Sequence, residues 1–566
     1  MFGLTDEIRR RIIETFPGLG SDDILIATPP DIKMGDVAVP LFALSKKLNI
    51  SLPVIVEVCL PLLEIKPWVT KVEQKGGYLN LFLDRGYCSV KIVEDVFSKR
   101  DKYGSLSSGF GKKALIEHTS INPNASPHVG RARNAMLGDC LSRLFRFEGY
   151  ETEVHYYVND MGRQIGLLVL IADELEKLDF NGILDAYVQA NQRAENEPEF
   201  ANKGYELLAL MEQGDEEVRK KFVRVTELCL RGQLQVLKRL GIEYDYFDRE
   251  SDFIESEELN KVLEILKEKG ALFIDEENRL TVDLAQLGFT QEEGRYFVLR
   301  RANGSSMYGY RDLAYTIYKG HRGTDENLIV LGEDHKLYFQ QIGLILRSAG
   351  YRIPEPIFYS YILLKEGKMS TRQGNVVLLS DFLDNASSLA LERVREQCKE
   401  LSEEEQQEIA EKVAVSAIRF SVLRVTPSKN VIFDMDSALS FEGDTGPYLQ
   451  YSCARIKSIL RKYGKPIPYD LPENLPLQKD EEWLLLRSIS EFPSIVLSSI
   501  KQYNPAIIAG YALNLAHVFT SFYHACPVLF AENDDVINMR VQICWATLQV
   551  MENALSLLGI PVPDRM

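Results

Sequence analysis

The sequence is poor in cysteine, and the cysteines that it has are scattered. Eight cysteines in 566 residues form no Cys-x-x-Cys pair, which argues against a zinc ribbon or another clustered structural metal site. Unclustered cysteines in a long chain are typical of a reducing compartment, where most of them serve as small buried hydrophobic residues. We therefore expect a cytoplasmic protein with no structural metal.

Long apolar runs and positive charge are also scarce. No apolar run is long enough to span a membrane, and the N-terminal stretch MFGLTDEIRRRIIE is charged and helical in pattern rather than a secretion signal. We therefore expect no membrane partner. The net charge of -17 argues weakly against a nucleic-acid partner because phosphate contacts need cations, although a local basic stripe would suffice. The chain does have a globular composition, with 45% hydrophobic and 26% charged residues, over a length that predicts several domains.

A strand, a turn and a helix follow one another at residues 114–147 and form the first candidate site. The turn is rich in Pro and Asn, and the helix that follows presents its N-terminal N–H groups to any anion in the turn. His128 can donate to a phosphate, and Gly130 leaves room for a flat base to approach the backbone. Arg131 lies three residues on from His128, on the same side of a helix, and is always charged. The pattern indicates a phosphate site or, alternatively, a capped surface helix.

A second candidate site follows the predicted strand 297–300. Tyr308 and Asp312 are four residues apart at the start of a predicted helix and therefore share one helical face. A carboxylate beside a phenol can hold a guanidinium by charge-assisted hydrogen bonds. The alternatives for Asp312 are a salt bridge to Arg311 or a favourable charge near the positive end of the helix dipole.

A third candidate site is the basic segment KMSTRQGNVV, residues 368–377. Lys368 and Arg372 place two cations on a short stretch, and the flanking Gly367 and Gly374 favour a mobile loop. Such a loop can close on a triphosphate and stabilise charge as pyrophosphate leaves. The alternative is a solvated basic loop without a ligand.

These elements, in this order, resemble the two ATP-binding motifs and the amino-acid pocket of class I aminoacyl-tRNA synthetases. Residues around the first motif narrow the resemblance to arginyl-tRNA synthetases: Ser120, Asn122, Pro123, His128, Gly130 and Asp139. Four positions depart from the usual pattern of the family. Arg131 replaces a second histidine, Arg372 a common lysine, His335 a glutamine and Tyr338 a histidine.

The resemblance implies a ligase that uses ATP as a substrate. In the first step the arginine carboxylate attacks the α-phosphate of ATP, with Mg²⁺ assisting, and arginyl-adenylate and pyrophosphate form. In the second step the 2′-hydroxyl of the terminal ribose of tRNA(Arg) takes the arginyl group. The resemblance also implies that tRNA binds before the adenylate forms and that the partners are L-arginine, ATP and tRNA(Arg). We expect a monomer.

The resemblance also implies roles for particular residues. It assigns catalysis to His128, Arg131, Lys368 and Arg372, and ATP binding to Pro127, His128, Gly130, Arg131, Lys368, Met369 and Ser370. It assigns arginine binding to Asn122, Glu250, Tyr308 and Asp312. It assigns tRNA binding to Tyr78 and Asn80 near the N-terminus and to Tyr448, Tyr451, Phe530 and Met566 near the C-terminus. For Phe530 the alternative of a core aromatic residue is the strongest.

The predicted fold is α/β, with a Rossmann-like parallel-sheet catalytic core, a helical insertion at about 166–241, an N-terminal α+β domain and a C-terminal all-α helical bundle. The predicted domains are 1–105, an additional tRNA-binding domain, 111–412, the catalytic domain, and 413–566, the anticodon-binding domain. Two other functions stay open. One is a divergent paralogue that charges another acceptor, which Arg131 favours because a guanidinium is bulkier than an imidazole and keeps its proton. The other is a non-catalytic regulator that binds tRNA.

Overall fold

The computed structural model of the chain describes residues 2–122, 127–175, 177–254, 256–365 and 377–566. Several residues of the predicted motifs lie outside this set. They are Pro123 and Asn124 of the turn before His128, and Lys368, Met369, Ser370 and Arg372 of the basic segment. What the sequence predicts for these residues stays a prediction.

The N-terminal region is a small α+β unit built on an antiparallel sheet of order β1-β3-β2. Leu79, Leu81 and Leu83 recur with the two-residue period of a strand and are buried against the helices, whereas Tyr78 stays at the surface. The elements of this region are α1 (Phe2–Thr15), β1 (Val37–Pro40), α2 (Phe42–Leu48), α3 (Leu52–Leu62), β2 (Val69–Lys75), β3 (Tyr78–Leu83) and α4 (Arg85–Lys99).

The central region is a parallel sheet of order β11-β10-β4-β5-β6, with helices between successive strands. Ala114, Leu115 and Ile116 of the central strand are fully buried, as the apolar run predicts. Ligands of such sheets bind outside the carboxyl ends of the strands. The elements are β4 (Lys113–Glu117), α5 (Val129–Phe147), β5 (Glu151–Val158), β6 (Tyr246–Arg249), α12 (Tyr308–Gly320), β10 (Glu326–Gly332), α13 (Lys336–Ser348) and β11 (Glu355–Tyr359).

Two insertions interrupt this sheet. The first, between β5 and β6, is helical: α6 (Arg163–Val169), α7 (Ala172–Leu175), α8 (Phe180–Asn196), α9 (Pro198–Glu212) and α10 (Glu216–Arg239). The second, between β6 and α12, holds α11 (Glu257–Glu268) and the small antiparallel sheet of β7 (Leu272–Ile274), β8 (Leu280–Asp283) and β9 (Tyr296–Arg300). Gly166 and Gly204 allow α6 and α9 to pack closely, because a Cβ on Gly166 would lie 2.7 Å from the Gly204 carbonyl oxygen.

The C-terminal region is a helical bundle. It contains α14 (Leu379–Gln397), α15 (Glu403–Leu423), α16 (Met435–Ala438), α17 (Gly446–Tyr463), α18 (Asp480–Lys501), α19 (Ala506–Ala525) and α20 (Asp534–Leu557). A parallel pair of short strands, β12 (Ile362–Leu364) and β13 (Val431–Phe433), connects it with the central region. All eight cysteines of the chain are buried and free.

Helix α19 is long and apolar enough, by length and composition, to cross a membrane. The sequence-based expectation found no such run. In the fold α19 packs against α18 and α20, and its Leu515, Phe519 and Phe522 are buried. A core helix of a globular bundle passes the same compositional test, so this property carries no conclusion about membranes.

The predicted fold class is confirmed by the parallel sheet, the helical insertion, the N-terminal α+β unit and the C-terminal bundle. Two details differ from the sequence prediction. Helix α5 begins at Val129 rather than Ala132, directly after His128 in extended conformation. In the small sheet β7-β8-β9, the sequence predicted β9 as the strand 297–300, whereas the short strands β7 and β8, of three and four residues, carried no signal that the pattern revealed.

Candidate functional site

A cleft of about 1000 Å³ opens at the carboxyl ends of β4, β5 and β10. This edge of the sheet is where a parallel α/β fold binds its ligands. The cleft brings together residues that the sequence predicted for two different sites. They are His128, Gly130 and Arg131 from the first motif, and Asn122, Glu250, Tyr308 and Asp312 from the predicted guanidinium pocket.

The start of α5 is tied to the segment that follows the predicted basic loop in the sequence. The Val129 amide donates to the Val377 carbonyl oxygen at 3.2 Å, and the Leu379 amide donates to the Pro127 carbonyl oxygen at 2.7 Å. His128 and Leu378 form an antiparallel bridge between these two bonds. The first motif therefore lies against Val377, the last residue of the third candidate segment, and the two residues after it.

At the start of this helix, His128 is a neutral hydrogen-bond donor and Arg131 carries a positive charge. Burial, together with the nearby Arg131, lowers the pKa of His128 to about 4, so the imidazole is neutral at pH 7 and donates one N–H. The Arg131 side chain makes no hydrogen bond or ion pair with the described residues. The guanidinium is thus available to an anion in the cleft, next to helix N–H groups that favour the same charge.

Asp312 is partly exposed to the cleft and is held by a phenol. Tyr338 donates a hydrogen bond from its hydroxyl to Oδ2 of Asp312, and the Tyr308 ring lies beside Tyr338 with centroids 5.0 Å apart. Burial raises the pKa of Asp312, and the hydrogen bond from Tyr338 opposes that rise. The predicted salt bridge of Asp312 to Arg311 is not found, since Arg311 pairs with Glu250, and Asp312 lies beyond the first turn of α12. One carboxylate oxygen of Asp312 has no donor among the described residues.

Glu250 is buried and has protein partners on both of its oxygens. Arg311 Nε donates to Oε1 at 2.6 Å. The side-chain amide of Asn159, in the orientation that satisfies its neighbours, donates from its nitrogen to Oε2 at 2.6 Å. The Asn159 amide also bonds to that of Asn122 at 3.2 Å. Burial raises the pKa of Glu250 to about 7 against the lowering effect of Arg311. Glu250 therefore organises the pocket through Arg311 and Asn159.

The helical insertion reaches the cleft, a contact that the sequence pattern did not predict. Gln233 of α10 donates to the Asn122 carbonyl oxygen at 2.9 Å and accepts from the Tyr156 hydroxyl at 3.1 Å. Glu212 of α9 lies 3.9 Å from Arg311 Nη1. A second cavity, of about 310 Å³, lies between the insertion and the pocket. The insertion thus supports one residue of the predicted arginine site, Asn122, directly and a second, Glu250, only through Arg311.

The cleft floor carries a buried ion pair that the sequence did not reveal. Lys319 of α12 bonds to Glu117 at the end of β4, and both side chains are buried. The Lys319 ammonium also lies 4.4 Å from the centroid of the Tyr315 ring. Lys319 and Glu117 are 202 positions apart in the chain, so no local sequence pattern links them. His335, by contrast, is half exposed at the rim, with Nε2 3.8 Å from Asp334.

The residues predicted to bind tRNA near the N-terminus differ in exposure. The Tyr78 side chain is 44% exposed and packs edge-on against Phe42. Asn80, two residues on, is 4% exposed and lies against Gly35. Tyr78 is therefore accessible at the surface, whereas Asn80 is buried.

The residues predicted to bind the anticodon lie along α17, the chain end and one loop. Tyr448 bonds to Thr520 at 3.0 Å, and Met566 packs partly buried against the bundle. The guanidinium of Arg455 lies between the rings of Tyr451 and Tyr523, at 4.8 and 5.1 Å from their centroids. Phe530 is 90% exposed, so the alternative of a core aromatic residue is wrong for it.

The residues that the structure describes contain no group of three His, Cys, Asp or Glu side chains able to hold a metal ion. Phosphate oxygens and water are the usual partners of Mg²⁺ in nucleotide sites.

Three protein-family models match the chain. The model described as tRNA synthetases class I (R), catalytic domain, matches residues 92–435. The DALR anticodon binding domain matches 449–566, and the arginyl tRNA synthetase N terminal domain matches 3–83.

Curated proteins and solved structures resemble the chain over its whole length. An arginine–tRNA ligase of Methanococcus aeolicus is 36% identical over 100% of this chain and 99% of its own. One of Methanopyrus kandleri is 36% identical over 99% and 97%. The arginyl-tRNA synthetase structure of Thermus thermophilus has a TM-score of 0.81 and 27% identity over 100% of both chains. That of Plasmodium falciparum, with a TM-score of 0.78 and 19% identity over 100% and 99% of the chains, shares the fold.

Proposed function

Because this chain belongs to the class I arginyl-tRNA synthetase family, we propose that its cleft joins L-arginine to tRNA(Arg) at the expense of ATP. The enzyme is an arginine–tRNA ligase that forms arginyl-adenylate and pyrophosphate, and then arginyl-tRNA and AMP. The observation that carries this function is the single cleft that unites a helix N-terminus bearing Arg131 with the acid Asp312. Few other ligand pairs need an anion site and a guanidinium site side by side.

The amino acid binds at the Asp312 side of the cleft. The guanidinium of arginine pairs with the carboxylate oxygen that Tyr338 leaves free, and the Tyr308 ring covers it. Citrulline, which is neutral, would leave this buried carboxylate without a counter-charge. Glu250 keeps the pocket in shape through Arg311 and Asn159, and Asn159 in turn positions Asn122 for the ammonium and carboxylate end of the substrate.

ATP binds at the start of α5. The adenine lies against Gly130, where no side chain blocks the backbone, and the phosphates meet the helix N–H groups, His128 and Arg131. The predicted contributions of Lys368, Met369, Ser370 and Arg372, outside the described residues, belong to this same role. Preorganised donors around the α-phosphate stabilise the charge that develops as pyrophosphate leaves.

ATP enters as its magnesium complex in this proposal. The described side chains provide no cluster for an independent ion, and the triphosphate supplies oxygen ligands of the kind that Mg²⁺ prefers. The side chains of the cleft would then orient the phosphates.

Two parts of the chain hold the tRNA. Tyr78 and, by supporting it, Asn80 meet the corner of the tRNA, while Tyr448, Tyr451, Phe530 and Met566 meet the anticodon. Exposed aromatic rings can stack on unpaired bases, and Arg455 provides a cation between two such rings. A few cations placed in this way allow an acidic chain to bind a polyanion.

One assay tests the proposal. ATP–pyrophosphate exchange is measured with arginine, with and without tRNA(Arg), and charging of the tRNA follows. We expect exchange that depends on both arginine and tRNA, and then charging. Exchange without charging would favour the divergent paralogue, and no exchange at all would favour the non-catalytic regulator. The similarity to arginine–tRNA ligases over the full length supports neither the divergent paralogue nor the non-catalytic regulator.

We also propose a monomeric, cytoplasmic enzyme with domains at 1–105, 111–412 and 413–566. Eight free, buried cysteines suit a reducing compartment. The boundary at 412/413 falls inside α15, so this helix serves both the catalytic region and the bundle. Sedimentation of the purified chain and fractionation of the producing cell test the first two statements, and limited proteolysis tests the third.

A further inference from the structure

Tyr157 is a buried phenol in the cleft whose hydroxyl has no partner. It lies near the carboxyl end of β5, is 8% exposed, and lines the cleft. Its hydroxyl oxygen makes no hydrogen bond with the described residues. A buried polar atom left without any hydrogen bond costs about 1–3 kcal/mol. Such a group in a cleft wall indicates a ligand that completes it.

Three other phenols near this wall have partners in the protein. The hydroxyl of Tyr338 donates to Asp312, that of Tyr315 donates to Asp248 at 2.8 Å, and that of Tyr156 donates to Gln233 at 3.1 Å. Tyr157 therefore stands apart from its neighbours. Its ring is fixed all the same, because it stacks on Tyr315 with centroids 4.4 Å apart and planes 18° apart.

The charges that face the Tyr157 hydroxyl indicate which part of a ligand it meets. Burial, and then the negative charges of Asp312 and Glu250, raise the pKa of Tyr157 well above its ordinary value, while Arg311 opposes them. The phenol is therefore neutral, with lone pairs free to accept. A carboxylate or phosphate at this position would face two acids, whereas a cation would be attracted by them.

We propose that the Tyr157 hydroxyl accepts an N–H from the guanidinium of arginine and so acts with Asp312 as a specificity-determining group of the amino-acid pocket. The inference rests on the proposed function, since it takes arginine as the substrate. A guanidinium has five N–H donors in a planar fork, and one free oxygen of Asp312 satisfies only some of them. A phenol fixed in the wall of the same cleft provides a further acceptor.

The test compares Tyr157→Phe with Tyr103→Phe. Both tyrosines are buried, but the Tyr103 hydroxyl is bonded, donating to the Ile489 carbonyl oxygen at 3.2 Å far from the cleft. At saturating tRNA(Arg), we expect Tyr157→Phe to raise the KM for arginine about tenfold, the scale of a hydrogen bond to a charged group. The KM for ATP and the melting temperature should stay within error. Tyr103→Phe should lower the melting temperature and leave both KM values as they are.

Agmatine, which has the guanidinium but no carboxylate, identifies the end of the substrate that Tyr157 meets. Its inhibition constant against arginine should rise in Tyr157→Phe by the same factor as the KM for arginine. An unchanged KM for arginine, an unchanged agmatine constant, or a parallel loss of ATP affinity with a lower melting temperature would each overturn the inference. A wild-type enzyme that neither binds arginine in calorimetry nor performs exchange would instead overturn the proposed function, and this inference with it.

Discussion

Asp312 and Glu250 carry the same charge in one cleft, yet their neighbours give them different tasks. Asp312 receives one hydrogen bond, from Tyr338, and keeps an oxygen for a ligand. Glu250 uses both oxygens within the protein, on Arg311 and Asn159. At the scale of single residues, we therefore propose that the first acid binds the substrate and the second positions its neighbours.

We expect Asp312→Asn to weaken arginine binding by about 1.5–3 kcal/mol, the value of a hydrogen bond to a charged group, or roughly ten- to a hundredfold in KM. The amide keeps the shape of the carboxylate and removes the charge. Steady-state kinetics of exchange at saturating ATP and tRNA measure the effect. Asp95→Asn, on the exposed face of α4, is the matched control and should change nothing. An arginine KM equal to that of the wild type would contradict the assignment of Asp312.

Glu250 gives the cleft a pH dependence whose sign is fixed. The pKa of Glu250 is about 7 in the folded protein, above its ordinary value of 4.5. Protonation of Glu250 therefore stabilises the folded state fully below pH 4.5, and this stabilisation is lost as pH rises through about 7. The ionised form of Glu250, which pairs with Arg311, is lost as pH falls below about 7. We expect kcat/KM for arginine to fall about tenfold per pH unit below pH 7.

The same pH profile of Glu250→Gln provides the control for this assignment. A glutamine keeps the side-chain shape and does not titrate, so the inflection near pH 7 should disappear while the overall rate drops. An inflection that persists in Glu250→Gln would show that another group titrates.

Arg131 is the departure from the family pattern that most needs a measurement. Its guanidinium has no partner among the described residues, and the adjacent His128 is neutral at pH 7. We therefore expect Arg131→His to raise the KM for ATP about tenfold at pH 8, because a neutral imidazole replaces a fixed charge. Arg131→Lys keeps the charge and should lose less. Wild-type ATP affinity in Arg131→His would mean that the guanidinium is a tolerated variant.

At the scale of elements, the close contact of α5 with the end of β4 depends on Gly138. A Cβ at this position would lie 2.2 Å from the His118 ring, which is itself buried. His118 cannot retreat easily, because its Nδ1 is bonded to Thr119 at 2.7 Å and Thr119 to Tyr244 at 2.6 Å. The glycine thus lets the helix that carries His128 approach the sheet.

We expect Gly138→Ala to lower the free energy of unfolding by about 1–3 kcal/mol, the usual cost of overpacking a core. Gly510→Ala, in the exposed middle of α19 with nothing within 4 Å of its Cβ position, is the matched control. It should raise the free energy of unfolding by about 0.5–1 kcal/mol, since alanine is the better helix former. Urea denaturation measures both changes. A Gly138→Ala protein as stable as the wild type would show that the contact can relax.

The elements that the sequence predicts well are those whose signal is local. The strand 114–116 and α5 are close together in the chain, and Tyr308 and Asp312 share one helix. The pairing of Arg311 with Glu250 spans 61 positions, and the hydroxyl of Tyr338 reaches Asp312 across 26. Periodicity and spacing carry no information on such contacts, which depend on how separate elements pack.

At the scale of the whole molecule, Arg419 joins three distant parts of the chain. Its guanidinium donates to the carbonyl oxygens of Leu558 at 2.6 Å and Leu240 at 2.8 Å, and to Oδ2 of Asp139 on α5 at 2.5 Å. Gly559 makes room for it, since a Cβ there would lie 2.2 Å from the guanidinium. The catalytic helix, the end of the insertion and the C-terminal segment therefore share one cation.

We expect Arg419→Met to lower the free energy of unfolding by about 3 kcal/mol or more, because it strands buried acceptors that no water can reach. Arg143 also donates to Asp139, at 2.8 Å, so this carboxylate keeps one partner in the variant and the loss of stability is smaller than it would otherwise be. Arg393→Met, on α14 with only long contacts to Asp436, is the control and should stay within about 0.5 kcal/mol. Chemical denaturation followed by intrinsic fluorescence measures both. Equal stability of the two variants would contradict the role of Arg419.

The contact between the N-terminal region and the C-terminal bundle likewise could not be predicted from the sequence. Trp483 of α18 donates from Nε1 to Asp36 of the N-terminal region at 2.7 Å, and Asn553 of α20 donates to the carbonyl oxygens of Arg100 and Tyr103 at 2.9 and 3.0 Å. These residues lie more than four hundred positions apart. Composition and length predicted several domains, but only packing shows that the first and last ones touch.

The burial of every cysteine has a practical consequence for studying this contact in motion. Burial raises the pKa of each of the eight thiols, and the thiolate is the species that reacts with maleimides. A pair of cysteines introduced at exposed positions, such as Glu94 on α4 and Ser521 on α19, should therefore take up fluorescent dyes far faster than the native thiols. The distance between the N-terminal region and the bundle then becomes measurable by energy transfer, molecule by molecule, while tRNA arrives and leaves.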